Sequence, residues 1–348
     1  MKSSIEKTKL PRLAILGAGG LGAEMLVLLQ KRLCANVVAL ADKSGFVFNG
    51  QGLNTLDCLE GLVREKKVSG ILGAQASDNS IEELLDLNAQ NIDAIFYALP
   101  NLPNEFIPNI TKQIIHNSAF EGVIVDALKR TTAVKLLHSL DSELKNRKIL
   151  YLTGCGATPG MLTAAASLAA QSFIEITNIE ITFGVGIANW QAYRATIRED
   201  IAHLEGFSVE KVNNMSEAEI DAELEKRNGI LELVDMEHAD DIMLELAGIC
   251  SADKVKVGGI VDTRSAKKPI STNVKITGIT YQNKVSTHTF TLGDETTMAA
   301  NVNGTVLGYL NAGLHLRQEY GVYGLKTAAE IMPRFQPVLV KTAKELLV

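Results

Sequence analysis

Residues Pro11 to Asp42 read PRLAILGAGGLGAEMLVLLQKRLCANVVALAD. A short apolar run, Leu13–Leu16, meets Gly17-Ala18-Gly19-Gly20-Leu21-Gly22 directly. A helical pattern then runs to about Leu33, and a second apolar run, Val37–Leu40, ends near Asp42. Strand, glycine turn, helix, strand and acid in that order form the context that a dinucleotide-binding turn requires. Gly17 permits a tight turn, Gly19 lets the backbone approach a pyrophosphate, and Gly22 lets helix and strand pack closely. Gly20 and Leu21 lie in the same turn, where unpaired amides at the positive end of the helix face an anion. Asp42 lies twenty residues past Gly22, where its carboxylate can accept bonds from ribose hydroxyls and repel a 2′-phosphate. That favours NAD, while the nearby cations Lys43 and Arg32 leave NADP possible.

Working outward, the 348 residues exceed the usual single-domain length, and 46% hydrophobic content supports sizeable cores. A net charge of -6 and the absence of a dense Lys/Arg block argue against a nucleic-acid surface. Cys34, Cys58, Cys155 and Cys250 are far apart and show no CxxC or metal-ligand spacing, which fits a reduced cytoplasm. The first residues, MKSSIEKTKLP, lack the apolar core of a signal peptide, and no apolar stretch reaches membrane length free of charges.

The spacing predicts an amino-terminal dinucleotide-binding domain over 1–155, built on a doubly wound parallel sheet. Ile92–Leu99 reads as a buried strand stopped by Pro100, so Leu99 and Pro100 border the ligand crevice. Gly122–Asp126 is the next strand, and its exit offers Asp126 as a proton relay and Lys129 as a carboxylate anchor or relay. A helix is expected over Thr131–Leu144. Ile149–Thr153 then runs into the glycine-rich exit 154–161, where Gly156, Thr158 and Pro159 are expected to face the nicotinamide. Pro159 suits a first helical turn because it has no amide hydrogen to lose. Cys155 has no partner histidine nearby and reads as a buried structural thiol.

From 156 to 295 the pattern changes to an α+β substrate and dimerisation domain of mainly antiparallel sheet. Trp190–His203 is expected to be helical, with Arg194 and Arg198 as further candidate cations. Asn273–Tyr281 and Lys284–Leu292 alternate on either side of Gln282-Asn283 and predict a β-hairpin. Residues 296–348 are expected to be helices packing back on the first domain, with Leu325–Met332 as a short one. The histidines show no H-x-x-H or HExxH spacing, so no metal site is expected.

Together GAGGLG, the exit at Leu99-Pro100, GVIVDALKR, TGCGATPGM and NGTVLGYLNAG…YGVYGL resemble the saccharopine dehydrogenase-like NAD(P)-dependent oxidoreductases. Saccharopine reductases and carboxynorspermidine dehydrogenases belong to that group. ADKSGFVFNGQGL is similar to homoserine dehydrogenases. The resemblance implies a homodimer that transfers hydride between NAD(P) and the amine or imine carbon of an amino-acid-like or carboxy-polyamine substrate. Three alternatives remain open at this point. They are a homospermidine-synthase-like transferase using NAD transiently, an alcohol oxidoreductase, and a non-catalytic NAD(H)-binding protein.

Overall fold

A computed structural model describes residues 10–188 and 190–335. Seven strands open the first sheet: β1 (Arg12–Leu16), β2 (Asn36–Asp42), β3 (Gly45–Phe48), β4 (Gln75–Ala76), β5 (Ala94–Tyr97), β6 (Val123–Asp126) and β7 (Leu150–Thr153). Between them run α1 (Gly20–Lys31), α2 (Thr55–Glu65), α3 (Ser80–Asn88), α4 (Phe106–Asn117), α5 (Thr131–His138) and α6 (Asp141–Asn146). The next stretch contains α7 (Met161–Ala170), β8 (Glu175–Gly186), α8 (Arg194–Ala202), α9 (Val209–Asn213) and α10 (Glu217–Lys226). It continues through β9 (Ile230–Leu233), α11 (Asp240–Leu246), β10 (Val255–Asp262), β11 (Asn273–Ile279) and β12 (Val285–Thr291). The chain then returns through α12 (Met298–Tyr320) to β13 (Gly324–Thr327).

The first sheet has the order β13-β7-β6-β5-β1-β2-β3-β4, parallel from β13 to β2 and antiparallel beyond. Its central strands, including Leu13–Leu16 and Val123–Asp126, are buried on both faces, as helices on both sides of a parallel sheet require. The exits of β1, β5, β6 and β7 therefore share one edge, where such sheets bind ligands. The second sheet has the order β12-β11-β8-β10-β9. It is antiparallel except for the β8–β10 pair, because β10 returns to β8 after the helical excursion 194–226.

Two local expectations change. The helix expected over Thr131–Leu144 is two helices, α5 and α6, with Leu140 between them. The short helix expected over Leu325–Met332 begins instead as strand β13, since its backbone finds the open edge of β7. Gly324 N–H donates to Ile149 O at 2.8 Å, and Leu325 N–H to the Asp141 carboxylate at 2.8 Å. The stretch read for a leader falls mostly in residues 1–9, and the end of the last segment is 336–348; both lie outside the described residues.

Thr297 caps the start of α12 through its side chain, which accepts from Ala300 N–H at 3.1 Å. Gly321, with φ 62°, ends it in the left-handed conformation that favours glycine. At 23 residues it is about 34 Å long. Its small buried residues bring it against α1, where Asn303 Nδ2 donates to Leu21 O at 3.0 Å.

Asp126 ties β6 to β7. It is fully buried and accepts from Leu128 N–H at 3.0 Å, Gly154 N–H at 2.6 Å, Tyr151 OH at 2.8 Å and the Thr153 hydroxyl at 3.0 Å. Burial pushes its carboxyl up, and these donors pull it back. The Asp126→Ala substitution should strand four buried donors and lower the unfolding free energy by about 3 kcal/mol. Urea unfolding measures it, and a loss below about 1 kcal/mol would show that this tie is dispensable.

Candidate active site

The glycine turn is built for an incoming backbone-bound anion. Gly17, with φ +106°, leaves no room for a side chain, because a Cβ would overlap the Ala98 carbonyl at the exit of β5. Gly19 differs: its φ is -74°, it is exposed, and a Cβ there would meet nothing within 4 Å. Gly19 also occupies the N-cap of α1 with no side-chain cap, so the first amides of the helix are left for a ligand. The residues present thus fit the pyrophosphate of a nicotinamide dinucleotide. Gly20 lies beside Tyr193, whose ring is 3.5 Å from the position a Cβ would take.

Asp42 has a structural duty that the sequence did not suggest. One oxygen accepts from Ser44 N–H at 2.8 Å and the Ser44 hydroxyl at 2.5 Å, and the other from Val68 N–H at 3.0 Å. Part of its acceptor capacity organises the β2–β3 turn, alongside the ribose contact expected of it. Lys43 is exposed at that turn, Leu99 is half-buried and Pro100 is exposed beside the β5 exit.

Contacts across the strand exits join the glycine turn to the rest of the crevice. The β5 exit reaches the β6 exit through Asn101 Oδ1, which accepts Lys129 N–H at 3.2 Å. Ala127 and Val302 of α12 border Gly156 on the β7 exit. Thr158 donates to Asp240 Oδ2 at 2.7 Å, and Thr163 donates to Asp240 Oδ1, so the loop carrying Pro159 is pinned to α11. Tyr309 of α12 holds the same loop by donating to Gly160 O at 3.2 Å and Ala328 O at 2.8 Å.

Lys129 is the charged centre of this edge. Its Nζ lies 3.2 Å from Glu199 Oε2 and 3.5 Å from Asp200 Oδ1, both on α8 and both buried. Burial opposes the ammonium, but the two carboxylates prevail and hold its pKa above the usual lysine range. Burial pushes the Asp200 carboxyl up, against the pull of Lys129. Beside them Arg130 pairs with Glu237 at 2.6 Å and meets His203 Nε2 at 2.9 Å, while Arg130 Nε donates to Asn104 Oδ1 at 3.3 Å. His203 Nδ1 meets Glu199 O at 2.8 Å, and burial pushes its pKa down. A second histidine, His238, meets Asp240 Oδ2 at 2.8 Å through Nδ1.

Of the four residues expected to carry the chemistry, the structure places Lys129 at the crevice edge. Asp126 is enclosed by donors and fixes strand exits, which corrects its reading as a proton relay. Arg194 and Arg198, the other two candidate cations, lie on the side of α8 away from Glu199 and Asp200 and pair with Glu217; Arg198 also donates to Val212 O at 2.6 Å. The residues that sequence reasoning missed are Glu199, Asp200, His238 and Asp240. One signal was available: Ile197, Ile201 and Leu204 form an apolar stripe at helical spacing, and Asp200 falls within it. A depression of about 720 Å³ lined by Arg12, His116 and Arg147 opens at the opposite edge of the sheet and is not part of this crevice.

No family model matches the chain. It is 42% identical to the "(S)-8-amino-7-oxononanoate synthase BioU" of Haloferax mediterranei over 350 residues, 92% of this chain and 98% of that protein. Among solved structures it is similar to an engineered D-amino acid dehydrogenase bound to NADP+, with TM-score 0.52, 14% identity and coverage of 93% and 94% of the two chains. A DAP dehydrogenase of C. glutamicum in complex with DAP gives TM-score 0.52, 15% identity and coverage of 92% and 93%. At those identities the likeness is one of fold. It meets the expectation of a Rossmann domain followed by a second domain of mainly antiparallel sheet and a returning helix.

The turn makes opposite demands of its two leading glycines. Gly19→Val should fold with an unchanged thermal midpoint yet lose NADH and NADPH binding at least tenfold, read by nucleotide fluorescence. Gly17→Ala should lower the midpoint itself, because its Cβ meets backbone at a positive φ. Retained binding by folded Gly19→Val would remove the pyrophosphate from this turn.

Proposed function

The chain belongs to the family of the (S)-8-amino-7-oxononanoate synthase BioU, and from that premise we propose a nicotinamide-dependent oxidoreductase acting at the amine or imine carbon of an aliphatic amino-keto acid. The substrate class is of the 8-amino-7-oxononanoate type, with a ketone, a neighbouring amine and a distant carboxylate. One observation carries the reading: a lysine amine stands between two buried carboxylates at the edge of a dinucleotide crevice.

When bound in reduced form, NADH or NADPH would supply a hydride from nicotinamide C4. The chain's own residues do the rest. Lys129 Nζ attacks the substrate ketone once it has given up its proton; a C–N bond forms, and the oxygen leaves as water. Glu199 and Asp200 receive the ammonium proton and return one to the departing hydroxyl. The raised Asp200 carboxyl is suited to holding that proton between the two steps. The resulting C=N carbon is the hydride acceptor. Arg130, fixed by Glu237 and Asn104, keeps the strand exit rigid behind the amine. Tyr193 and the uncapped start of α1 enclose the dinucleotide end.

We also propose a cytoplasmic homodimer. All four cysteines are free thiols, three of them buried, and no helix among the described residues is long and apolar enough to cross a membrane. The β12 edge and its turn expose Tyr281, Val285 and Phe290, and the outer side of that edge strand is of the kind that a second copy can cover. Light scattering on the purified chain should give twice the 37.6 kDa monomer mass, and a monomer would end this assignment.

Incubation with 8-amino-7-oxononanoate and cyanoborohydride should add one substrate mass, less water and plus two hydrogens, to Lys129 by peptide mapping. The Lys129→Arg variant should keep NADH binding and form no adduct. Absence of an adduct in the unaltered chain, or an adduct at the same level in the variant, would overturn the role given to Lys129.

A further inference from the structure

The glycine turn has a neighbour from far along the chain. Tyr193, in the segment after β8, brings its ring to Gly20, with Cε1 3.5 Å and Cδ1 4.0 Å from the position that a Cβ there would take. In a helix the Cα–Cβ bonds tilt toward the amino end, and Gly20 is the first residue of α1. A ring at that position therefore lies beside the uncapped amides rather than further along the helix. Its nearer atom is Cε1, next to the carbon that bears the hydroxyl, so the polar end of the ring leads. Gly19 has nothing within 4 Å of its own Cβ position. An anion at the amides of α1 thus meets open space at Gly19 and a phenol at Gly20.

The hydroxyl suits such an anion. It makes no hydrogen bond among the described residues. Burial, and after it the charge of Glu24, push its pKa up, so it stays a donor where a phenolate would repel a phosphate. The backbone behind the ring is well held. Tyr193 ends a short 3₁₀ turn, Trp190–Tyr193, and occupies the N-cap of α8 without capping it through its side chain. Trp190 anchors that turn: it is 6% exposed, and its Nε1 donates to Asp221 Oδ1 at 2.9 Å. Glu199 and Asp200 follow within two turns of the same helix and face Lys129.

We propose that Tyr193 is a dinucleotide-binding residue supplied from the side of the second sheet: its hydroxyl donates to a pyrophosphate oxygen held at the Gly19–Leu21 amides, and occupancy of the turn thereby braces the start of the helix that carries Glu199 and Asp200. This rests on the reading of that turn as the pyrophosphate site. The dinucleotide is then gripped by α1 on one side and by the segment before α8 on the other. One helix links the two ends of the crevice, with the cofactor's phosphates at its first residue and the acids beside the Lys129 amine at its last turns.

Two measurements on the full chain test this, and neither needs turnover. By calorimetry, Tyr193→Phe should bind NADH about tenfold more weakly than the unaltered chain at an unchanged thermal midpoint, the loss expected of one hydrogen bond to a charged group. ADP-ribose, which keeps the pyrophosphate and lacks the nicotinamide, should lose affinity by the same factor. A merely structural role for the ring would leave binding by Tyr193→Phe intact, since the ring is kept. Trp190 is the only tryptophan of the chain and reports on the turn before α8. Saturation with ADP-ribose should lower its quenching by acrylamide about twofold in the unaltered chain and leave it unchanged in Tyr193→Leu; Tyr193→Phe serves, with a smaller decrease than the unaltered chain shows, if Tyr193→Leu fails to fold. Equal affinities in Tyr193→Phe and the unaltered chain, a loss confined to NADH, or Trp190 quenching indifferent to ADP-ribose overturns the proposal. Gly19→Val separates the two readings: intact NADH binding there removes the pyrophosphate from the turn, whereas binding lost there and kept in Tyr193→Phe counts against Tyr193 alone.

Discussion

The Asp126 carboxylate sets the spacing on which the candidate site depends. It accepts from Leu128 N–H, the residue before Lys129, and from Gly154 N–H, the first residue of the loop leading to Pro159. One buried group therefore fixes both the amine and the loop expected beside the nicotinamide. The hydroxyls of Tyr151 and Thr153 complete its shell from β7. A misplacement of about 1 Å in a reacting group can cost a hundredfold in rate, so a rigid tie beneath the site is worth its burial cost. Lys129 is fixed further by its backbone, which gives its N–H to Asn101 and receives Ala239 N–H at 2.9 Å.

The return of the chain makes this arrangement a closed one. A parallel sheet ending at β7 would expose a row of unpaired backbone groups; β13 covers them. To reach that edge, the chain must cross the first sheet along α12. The crossing puts Asn303 on α1, Val302 beside Gly156 and the Tyr309 hydroxyl on Gly160 O. The second sheet contributes from the other side. The helical excursion between β8 and β9 supplies Glu199 and Asp200, and the loop after β9 supplies His238. Acids and amine thus come from different sheets and meet only at the crevice.

This division explains what could be read from the sequence. The glycine turn, the parallel strands and the β11–β12 hairpin are local patterns, visible as apolar runs with glycines or alternation at fixed spacing. Lys129 was visible because a strand exit in a doubly wound sheet is a predictable place. Glu199, Asp200 and His238 lie 70 to 109 residues beyond it, and only the packing of α8 and α11 brings them near. The arginines Arg194 and Arg198 were legible only as charges on that helix. They share the helix with the acids but occupy the side that packs toward α9 and α10. Leu325–Thr327 could have been helix or strand by composition, and the vacant edge of β7 decided it. Asp42 lies at the end of β2 as the pattern placed it, and the turn at Ser44, which the pattern did not show, engages one carboxylate oxygen.

Charge balance connects the site to the chemistry proposed for it. Lys129 and Arg130 face Glu199, Asp200 and Glu237, so the immediate cluster holds more carboxylates than cations. Glu199 Oε1 is buried without a hydrogen bond, with Arg130 no nearer than 3.9 Å. Such a surplus is costly in a largely dry place unless another positive charge arrives. Loss of the Lys129 proton to bulk water would deepen it, whereas a proton kept on Asp200 would not. A substrate whose amine is protonated brings the missing charge, and its ketone is on the carbon next to the one that bears that amine. The same carboxylates that hold Lys129 as an ammonium can then turn to the substrate's ammonium, which weakens their grip on the Lys129 proton at the moment the amine is needed.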